Sequence, residues 1–199
     1  MEIPNWAYGV PPVSVIGDRF CFPYAMELTV KKKVKKTTDA QFDVTDSCGN
    51  VVLQVHGGVW NFTMKRILRD PAGFPLLTLC GKALTLRHKW KAYEGDGSEK
   101  DSTVFTVRQS HPVQFKKVLN VFLGSSVNKT APDFQVSGSF TSLSFKVFQD
   151  RRLLAEVKHN FTWESFCKGK ESYRIKVYPE VDYAFIVALL VTLDENDTP

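Results

Sequence analysis

The sequence predicts a mainly β domain in which a closed antiparallel barrel surrounds one apolar C-terminal helix. Short stretches of alternating apolar and polar residues recur from Met26 onward, and this pattern is typical of half-buried strands. Turn residues, rather than helical segments, separate the stretches, which excludes a doubly wound parallel sheet and favours a meandering sandwich or barrel. The last apolar segment has no polar side, so it requires an enclosed position.

The length and composition indicate a single domain. The chain has 199 residues, of which 43% are hydrophobic, enough for one sizeable core. Residues 1–17 are rich in Pro, Gly and aromatic residues, and we expect an N-terminal arm there, followed by the domain at 18–199. The start has no basic segment followed by an apolar one, so we expect an intracellular, non-secreted protein with free thiols, in the cytoplasm, at a membrane surface or in the nucleus.

The first predicted strand shows the alternation clearly. Met26, Leu28 and Val30 point to one side, whereas the intervening Glu27 and Thr29 point to the other. A strand with one dry and one wet face is therefore expected here.

Two predicted hairpins share a turn in which Asp comes first and Gly follows three residues later. These pairs are Asp46 with Gly49 and Asp70 with Gly73. The Asp side chain accepts hydrogen bonds from the backbone ahead of it, and Gly tolerates positive φ. A third copy, after Asp150, lacks the Gly. The turns place hairpin strands at 42–46 with 51–55, 66–70 with 76–79 and 145–150 with 153–157, and further strands are predicted at 89–93, 103–108, 115–123, 134–137 and 173–178.

The C-terminal segment 181–193 follows Pro179 and reads as one helix. About 13 residues span roughly 20 Å, against about 30 Å for a bilayer interior, so a membrane anchor is the weaker interpretation. The acidic residues 194–197 end the segment, and we expect them to form a tail beyond the buried helix. No calcium site is expected there, because a turn glycine and a bidentate Glu are missing. The predicted core residues of the helix are Tyr183, Ala184, Phe185, Ile186, Leu189, Leu190 and Leu193.

Several segments resemble the plant LURP-one-related proteins. They are residues 178–186 (YPEVDYAFI), 121–124 (VFLG), 21–30 (CFPYAMELTV) and the Asp-x-x-Gly hairpins, and the similarity runs from about Val13 to the end. Ala25 replaces a Pro that is common in the opening motif.

The resemblance implies a fold similar to the tubby C-terminal domain and the phospholipid scramblases, with about a dozen strands around a hydrophobic helix. It implies a link to plant defence and membrane-tethered transcription regulation. It supplies no catalytic residues.

A run of lysines follows the first strand, in a chain with a formal net charge of +5. One interpretation is a site for phosphoinositide headgroups, which the tubby-like resemblance implies. The other is a solvated edge strand whose lysines prevent edge-to-edge pairing. At about 1 kcal/mol per outward lysine the run binds a membrane weakly, so we expect assisted, peripheral binding. The run consists of Lys31, Lys32, Lys33, Lys35 and Lys36, and the pairs Lys116 with Lys117 and Arg151 with Arg152 add to it if they lie nearby.

The same charges leave two other partner classes open. A nucleic-acid-binding regulator tethered at the membrane is the alternative function, although no helix-turn-helix or zinc module is present and a buried helix cannot enter a groove. An unidentified protein is the other partner class. We expect a monomer.

Catalysis and cofactors are not expected. The sequence contains no P-loop, no nucleophile elbow, no Rossmann glycine pattern and no H-E-x-x-H motif. Cys21, Cys48, Cys80 and Cys167 form no C-x-x-C pair, so a metal site is not predicted. Convergent pairs remain open, namely His88 with Asp96 and Cys167 with His159.

Overall fold

The computed structural model describes residues 11–36, 39–60, 63–82, 89–97, 103–110, 117–126, 130–139, 144–160 and 170–194. These residues form a closed antiparallel barrel of twelve strands around one helix, so the predicted fold class is confirmed. The strands are β1 (Met26–Lys36), β2 (Asp39–Thr45), β3 (Val51–Trp60), β4 (Thr63–Arg69), β5 (Pro75–Lys82), β6 (Lys89–Glu94), β7 (Thr103–Gln109), β8 (Lys117–Leu123), β9 (Phe134–Ser139), β10 (Ser144–Gln149), β11 (Arg152–His159) and β12 (Lys170–Val177), and the helix is α1 (Tyr183–Asp194).

Each strand pairs with its neighbours in sequence, and the first strand closes the barrel against the last. In that closure Met26 of β1 lies opposite Val177 of β12, and Val30 lies opposite Tyr173. Because β1 also pairs with β2, it is hydrogen-bonded on both sides and is not a sheet edge. The edge-strand interpretation of the lysine run is therefore wrong.

The helix direction distinguishes the two ends of the barrel. We call the end where α1 begins the entry rim and the end where it finishes the exit rim. The two Asp-x-x-Gly turns lie at the entry rim and have the expected geometry: Gly49 and Gly73 have φ values of 87° and 89°, and their amides donate to the carbonyls of Asp46 and Asp70 at 3.1 and 3.0 Å. In the third turn Asp150 adopts positive φ itself, at 49°.

The helix lies wholly inside the barrel. Every residue from Tyr183 to Asp194 is buried, including all seven predicted core residues. Phe185 packs against Phe105 and Phe134 of the wall, with ring centroids 5.3 and 5.0 Å away. Within the described ranges no helix is long and apolar enough to cross a bilayer.

Asp182 connects the start of the helix to the N-terminal arm. Its Oδ1 accepts a hydrogen bond from the amide of Phe185 at 3.0 Å, which caps the helix. Its Oδ2 accepts the amides of Val15, Ile16 and Gly17 at 3.1, 2.7 and 3.2 Å. Burial raises the pKa of this carboxyl, and the four amide donors oppose the shift. The arm at 11–17 is thus fastened to the barrel, while residues 1–10 of the predicted arm lie outside the described residues.

We expect Asp182→Ala to destabilise the protein by about 3 kcal/mol or more, because four backbone amides lose their hydrogen-bond acceptor. One of them, the amide of Phe185, is buried. Urea denaturation followed by circular dichroism measures the change. Asp46→Ala is the matched control, since Asp46 also accepts two backbone amides but does so in an exposed turn. An equal loss for the two variants would contradict the structural role of Asp182.

The arm also shields a thiol. Cys21 Sγ lies 3.6 Å from the carbonyl of Val13, and burial, with the nearby Asp182 carboxylate next in importance, raises the Cys21 pKa to about 11. About one thiol in a thousand is then ionised at pH 8, so iodoacetamide should label the exposed Cys48 far faster than Cys21. Peptide-resolved mass spectrometry checks this order, which should disappear in denaturant; equal rates in the folded protein would contradict it.

Candidate functional site

The outer wall of β11, β12 and β1 carries a group of cations that we call the basic face. Strand alternation turns Lys31 of β1, Arg174 of β12 and Lys158 of β11 outward, and all three are exposed. Lys31 pairs in register with Ser172, one outward position along β12 from Arg174. The basic face consists of Lys31, Lys33, Lys158, Arg174 and Lys176.

Two cations of this face lie directly opposite each other. Arg174 is the cross-strand partner of Lys158, an arrangement that disfavours the sheet because like charges face each other at close range. Among the described residues neither side chain is in an ion pair. The pair therefore adds to the positive potential of this part of the outer wall.

Two carboxylates near this face are in ion pairs, and a third, Glu27, lies opposite Lys176 in register. Lys33 Nζ lies 3.0 Å from Asp43 Oδ2, and Lys146 Nζ lies 2.8 Å from Glu156 Oε1. The hydrogen bond from Lys146 lowers the pKa of Glu156. Burial raises the pKa of Asp43, but hydrogen bonds from Lys33 and Gln41 outweigh it, and the net shift is downward. Both carboxylates therefore stay ionised. Glu156 also interacts electrostatically with Lys158 and Lys176, so the charge of the basic face is reduced but remains positive.

The structure divides the predicted lysine run. Lys31 and Lys33 lie on the basic face, whereas Lys32 points into the barrel and is 7% exposed. The side chains of Lys35 and Lys36 lie outside the described residues.

The additional cations proposed from the sequence do not join the face. Arg152 is at the entry rim, where its guanidinium donates to the carbonyls of Pro11 and Pro179 at 2.9 and 3.2 Å. Arg151, next to it, lies in the exposed turn between β10 and β11. Lys116 and the side chain of Lys117 lie outside the described residues.

Arg174 and Lys158 were not predicted as site residues. The alternation within β11 and β12 indicates that both point outward, but their register is needed to bring them together.

Lys32 belongs instead to a buried polar group that we call the exit-rim cluster, formed by Lys32, His159, Glu171, Tyr173 and Asp194. Lys32 Nζ lies 2.7 Å from Asp194 Oδ2 and 3.4 Å from Glu171 Oε2. The Tyr173 hydroxyl is in hydrogen-bond contact with Asp194 and lies 3.0 Å from Glu171 Oε2. The His159 ring packs on Tyr173 with centroids 5.0 Å apart.

Burial shifts the titration of this cluster. It raises the pKa of Asp194 to about 6, against the opposing effect of Lys32. Burial and the Asp194 charge raise the pKa of Tyr173, and burial lowers the pKa of His159. Burial also raises the pKa of Glu171, but Lys32 outweighs it and the net shift is downward.

Asp194 occupies the last turn of the helix rather than the acidic tail predicted from the sequence. A carboxylate there opposes the helix dipole. The Lys32 ammonium compensates for the Asp194 carboxylate and for the negative end of the helix. The exit-rim cluster is thus best explained as a fastening for the helix C-terminus. Of the catalytic pairs left open, His88 and Cys167 lie outside the described residues, as do residues 195–197.

Among the described residues, no group of three His, Cys, Asp or Glu side chains could hold a metal ion. The closed meander around a buried C-terminal helix, with its basic outer wall, defines a class of helix-centred barrel proteins. A sequence model of the LURP-one-related family matches residues 26–194. The chain is 46% identical over 196 residues to Protein LURP-one-related 14 of Arabidopsis thaliana, covering 97% of this chain and 95% of that protein.

Two further comparisons agree. Protein LURP-one-related 9 of Arabidopsis thaliana is 41% identical over 192 residues, which cover 92% of this chain and 98% of that protein. An X-ray structure of a protein from Arabidopsis thaliana superposes with a TM-score of 0.68 at 29% identity, covering 92% of this chain and 98% of that one. The chain belongs to the LURP-one-related family, as the sequence resemblance predicted.

We expect Lys32→Met to destabilise the protein by about 3 kcal/mol at pH 8, because it leaves Asp194 buried without its counter-charge. The loss should shrink on acidification. The folded-state pKa of Asp194 lies above its ordinary value of 3.8, so the cost of burying its charge applies at higher pH and disappears as the carboxyl takes up a proton.

Denaturation curves from pH 8 to pH 5 measure this effect. The double variant Lys32→Met with Asp194→Asn should recover part of the lost stability at pH 8, and the exposed Lys33→Met should change it by less than about 1 kcal/mol. A loss for Lys32→Met that does not depend on pH would show that Asp194 is not the group left unpaired.

Proposed function

We propose that this protein is a non-enzymatic module that binds anionic membrane surfaces peripherally, phosphoinositide headgroups among them, through the basic face. The supporting observation is the cross-strand pair of Arg174 and Lys158 beside Lys31, in which two cations lie directly opposite each other. Phosphate groups of lipids would relieve the repulsion within this pair, so that binding removes a cost already present in the folded protein.

The expected affinity is low. At about 1 kcal/mol per cation near an anionic surface, Lys31, Lys158 and Arg174 contribute roughly 3 kcal/mol, and Lys33 and Lys176 bring the total to about 5 kcal/mol. This corresponds to a dissociation constant of roughly a millimolar or somewhat below it. The interaction should therefore be reversible and sensitive to salt, which suits a protein recruited to the membrane together with a second contact.

The alternative of a nucleic-acid-binding regulator has less support. A flat array of cations can contact nucleic-acid phosphates, but reading a sequence requires an element that reaches the base edges. The only α-helix that the described residues contain is α1, and it is enclosed. Binding to duplex DNA should therefore be weaker than binding to anionic vesicles at equal phosphate concentration. The link of the resembling family to plant defence would then act through membrane recruitment.

We expect vesicles containing phosphatidylinositol phosphates to carry the protein in flotation assays, and phosphatidylcholine vesicles to leave it behind. Lys31→Gln, Lys158→Gln and Arg174→Gln should each weaken binding about fivefold, because each removes about 1 kcal/mol of attraction. Arg151→Gln is the matched control, since it makes the same change in net charge at an exposed position away from the face.

Binding that Arg151→Gln weakens as much as the basic-face variants would point to net charge rather than to a defined surface. Binding that survives all three basic-face substitutions together would refute the proposal. Tighter binding of duplex DNA than of vesicles would favour the nucleic-acid alternative.

A further inference from the structure

A groove of about 760 Å³ lies on the outer wall of β6, β7 and β8. It is on the far side of the barrel from the basic face. Around the closed barrel, strands β8 to β12 lie between β7 and β1 on one side, and strands β2 to β6 lie between them on the other. A membrane bound to the basic face would therefore leave the groove accessible. The groove is large enough for a small organic ligand.

One end of the groove is cationic. Lys89 of β6 lies opposite Arg108 of β7 in register, and Lys91 lies opposite Thr106. The Arg108 guanidinium stands 5.0 Å from the ring centroid of Phe122, on the neighbouring strand. Stacking on an aromatic ring restrains a guanidinium without neutralising its charge. The described residues that line the groove include no carboxylate.

The other end, toward the entry rim, is neutral. Val104, Leu123 and Val15 supply apolar surface, and the hydroxyls of Ser14 and Ser125 lie among them. The groove thus changes from cationic to apolar along the direction of its strands.

The neutral end is held in place by the fold. The amide of Gly124 donates to the carbonyl of Val104 at 2.8 Å, and a Cβ at this glycine would lie 1.6 Å from the carbonyl oxygen of Thr103. Only glycine allows the two backbones to approach so closely. On the other wall, the amide of Val15 is bound by the buried Asp182. Both walls of the groove are therefore formed before any ligand arrives.

We propose that this groove binds a small phosphorylated organic molecule, with its phosphate at Lys91 and Arg108 and its apolar part at Val104 and Leu123. A phosphate monoester carries up to two negative charges and several acceptor oxygens, which match an array of cations better than a single carboxylate does. The cation-to-apolar gradient selects a molecule with a charged end and an apolar end. This site is independent of the proposed membrane contact and lies on a different wall.

Isothermal titration of the full chain with phenyl phosphate, inorganic phosphate and phenol tests the proposal. Phenyl phosphate should bind more tightly than inorganic phosphate, and phenol should give no measurable binding. Arg108→Met and Lys91→Met should each weaken phenyl phosphate binding about tenfold or more, because each removes a charged hydrogen-bond donor. Arg151→Met, an equal change of charge in an exposed turn that belongs to neither surface, should leave it unchanged, and circular dichroism melts show that each variant is folded.

Vesicles with and without phosphatidic acid, added as competitors, identify the source of the phosphate. Displacement of phenyl phosphate only by the vesicles that contain phosphatidic acid supports a lipid phosphate in this groove; retention supports a soluble phosphate ester. Absence of phenyl phosphate binding, or binding that neither groove variant weakens, overturns the proposal. The flotation result with the basic-face variants stands in either case, so the two hypotheses fail separately.

Discussion

The structure depends on enclosing a helix that has no polar side. Burial of its side chains is favourable, but the polar groups at the two helix ends must also be satisfied inside the barrel. Asp182 does this at the entry rim, where one carboxylate binds the first turn and the amides of the arm. Asp194 at the exit rim interacts unfavourably with the helix dipole. It is tolerated because Lys32 of the barrel wall forms an ion pair with it. The two aspartates therefore fasten the helix, the arm and the first strand together.

Closing the sheet around this helix leaves the outer surface available for recognition. Alternation along β1 sends Lys31 and Lys33 outward and Lys32 inward, so that neighbouring lysines take up unrelated roles. The interior is filled by the helix and the inward side chains. Cations lie on two opposite walls, the basic face and the groove of β6 to β8, so the proposed membrane contact and the proposed small-molecule contact do not overlap.

Much of the fold was predictable, because strand alternation and turn chemistry are local properties. Every predicted strand is present, and the turns at Asp46 and Asp70 have the predicted hydrogen bonds. The predicted helix differs by its ends: residues 181 and 182 form bridges to the arm and to Cys21, and the helix continues through Asp194. Those ends are decided by partners more than 150 residues away along the chain, Val15 for Asp182 and Lys32 for Asp194, which no local pattern contains.

The sequence by itself determined the fold class, the buried helix and the family, since these follow from periodicity, from an apolar segment with no polar side and from short motifs. Only the tertiary structure decided which cations lie together. The register of β11 on β12 places Lys158 opposite Arg174, and that of β6 on β7 places Lys89 opposite Arg108. Because the barrel is closed, β1 has no free edge for its lysine run to protect. The physical reason is that alternation within one strand predicts which side chains point outward. The hydrogen-bond register between strands decides which of these outward side chains become neighbours.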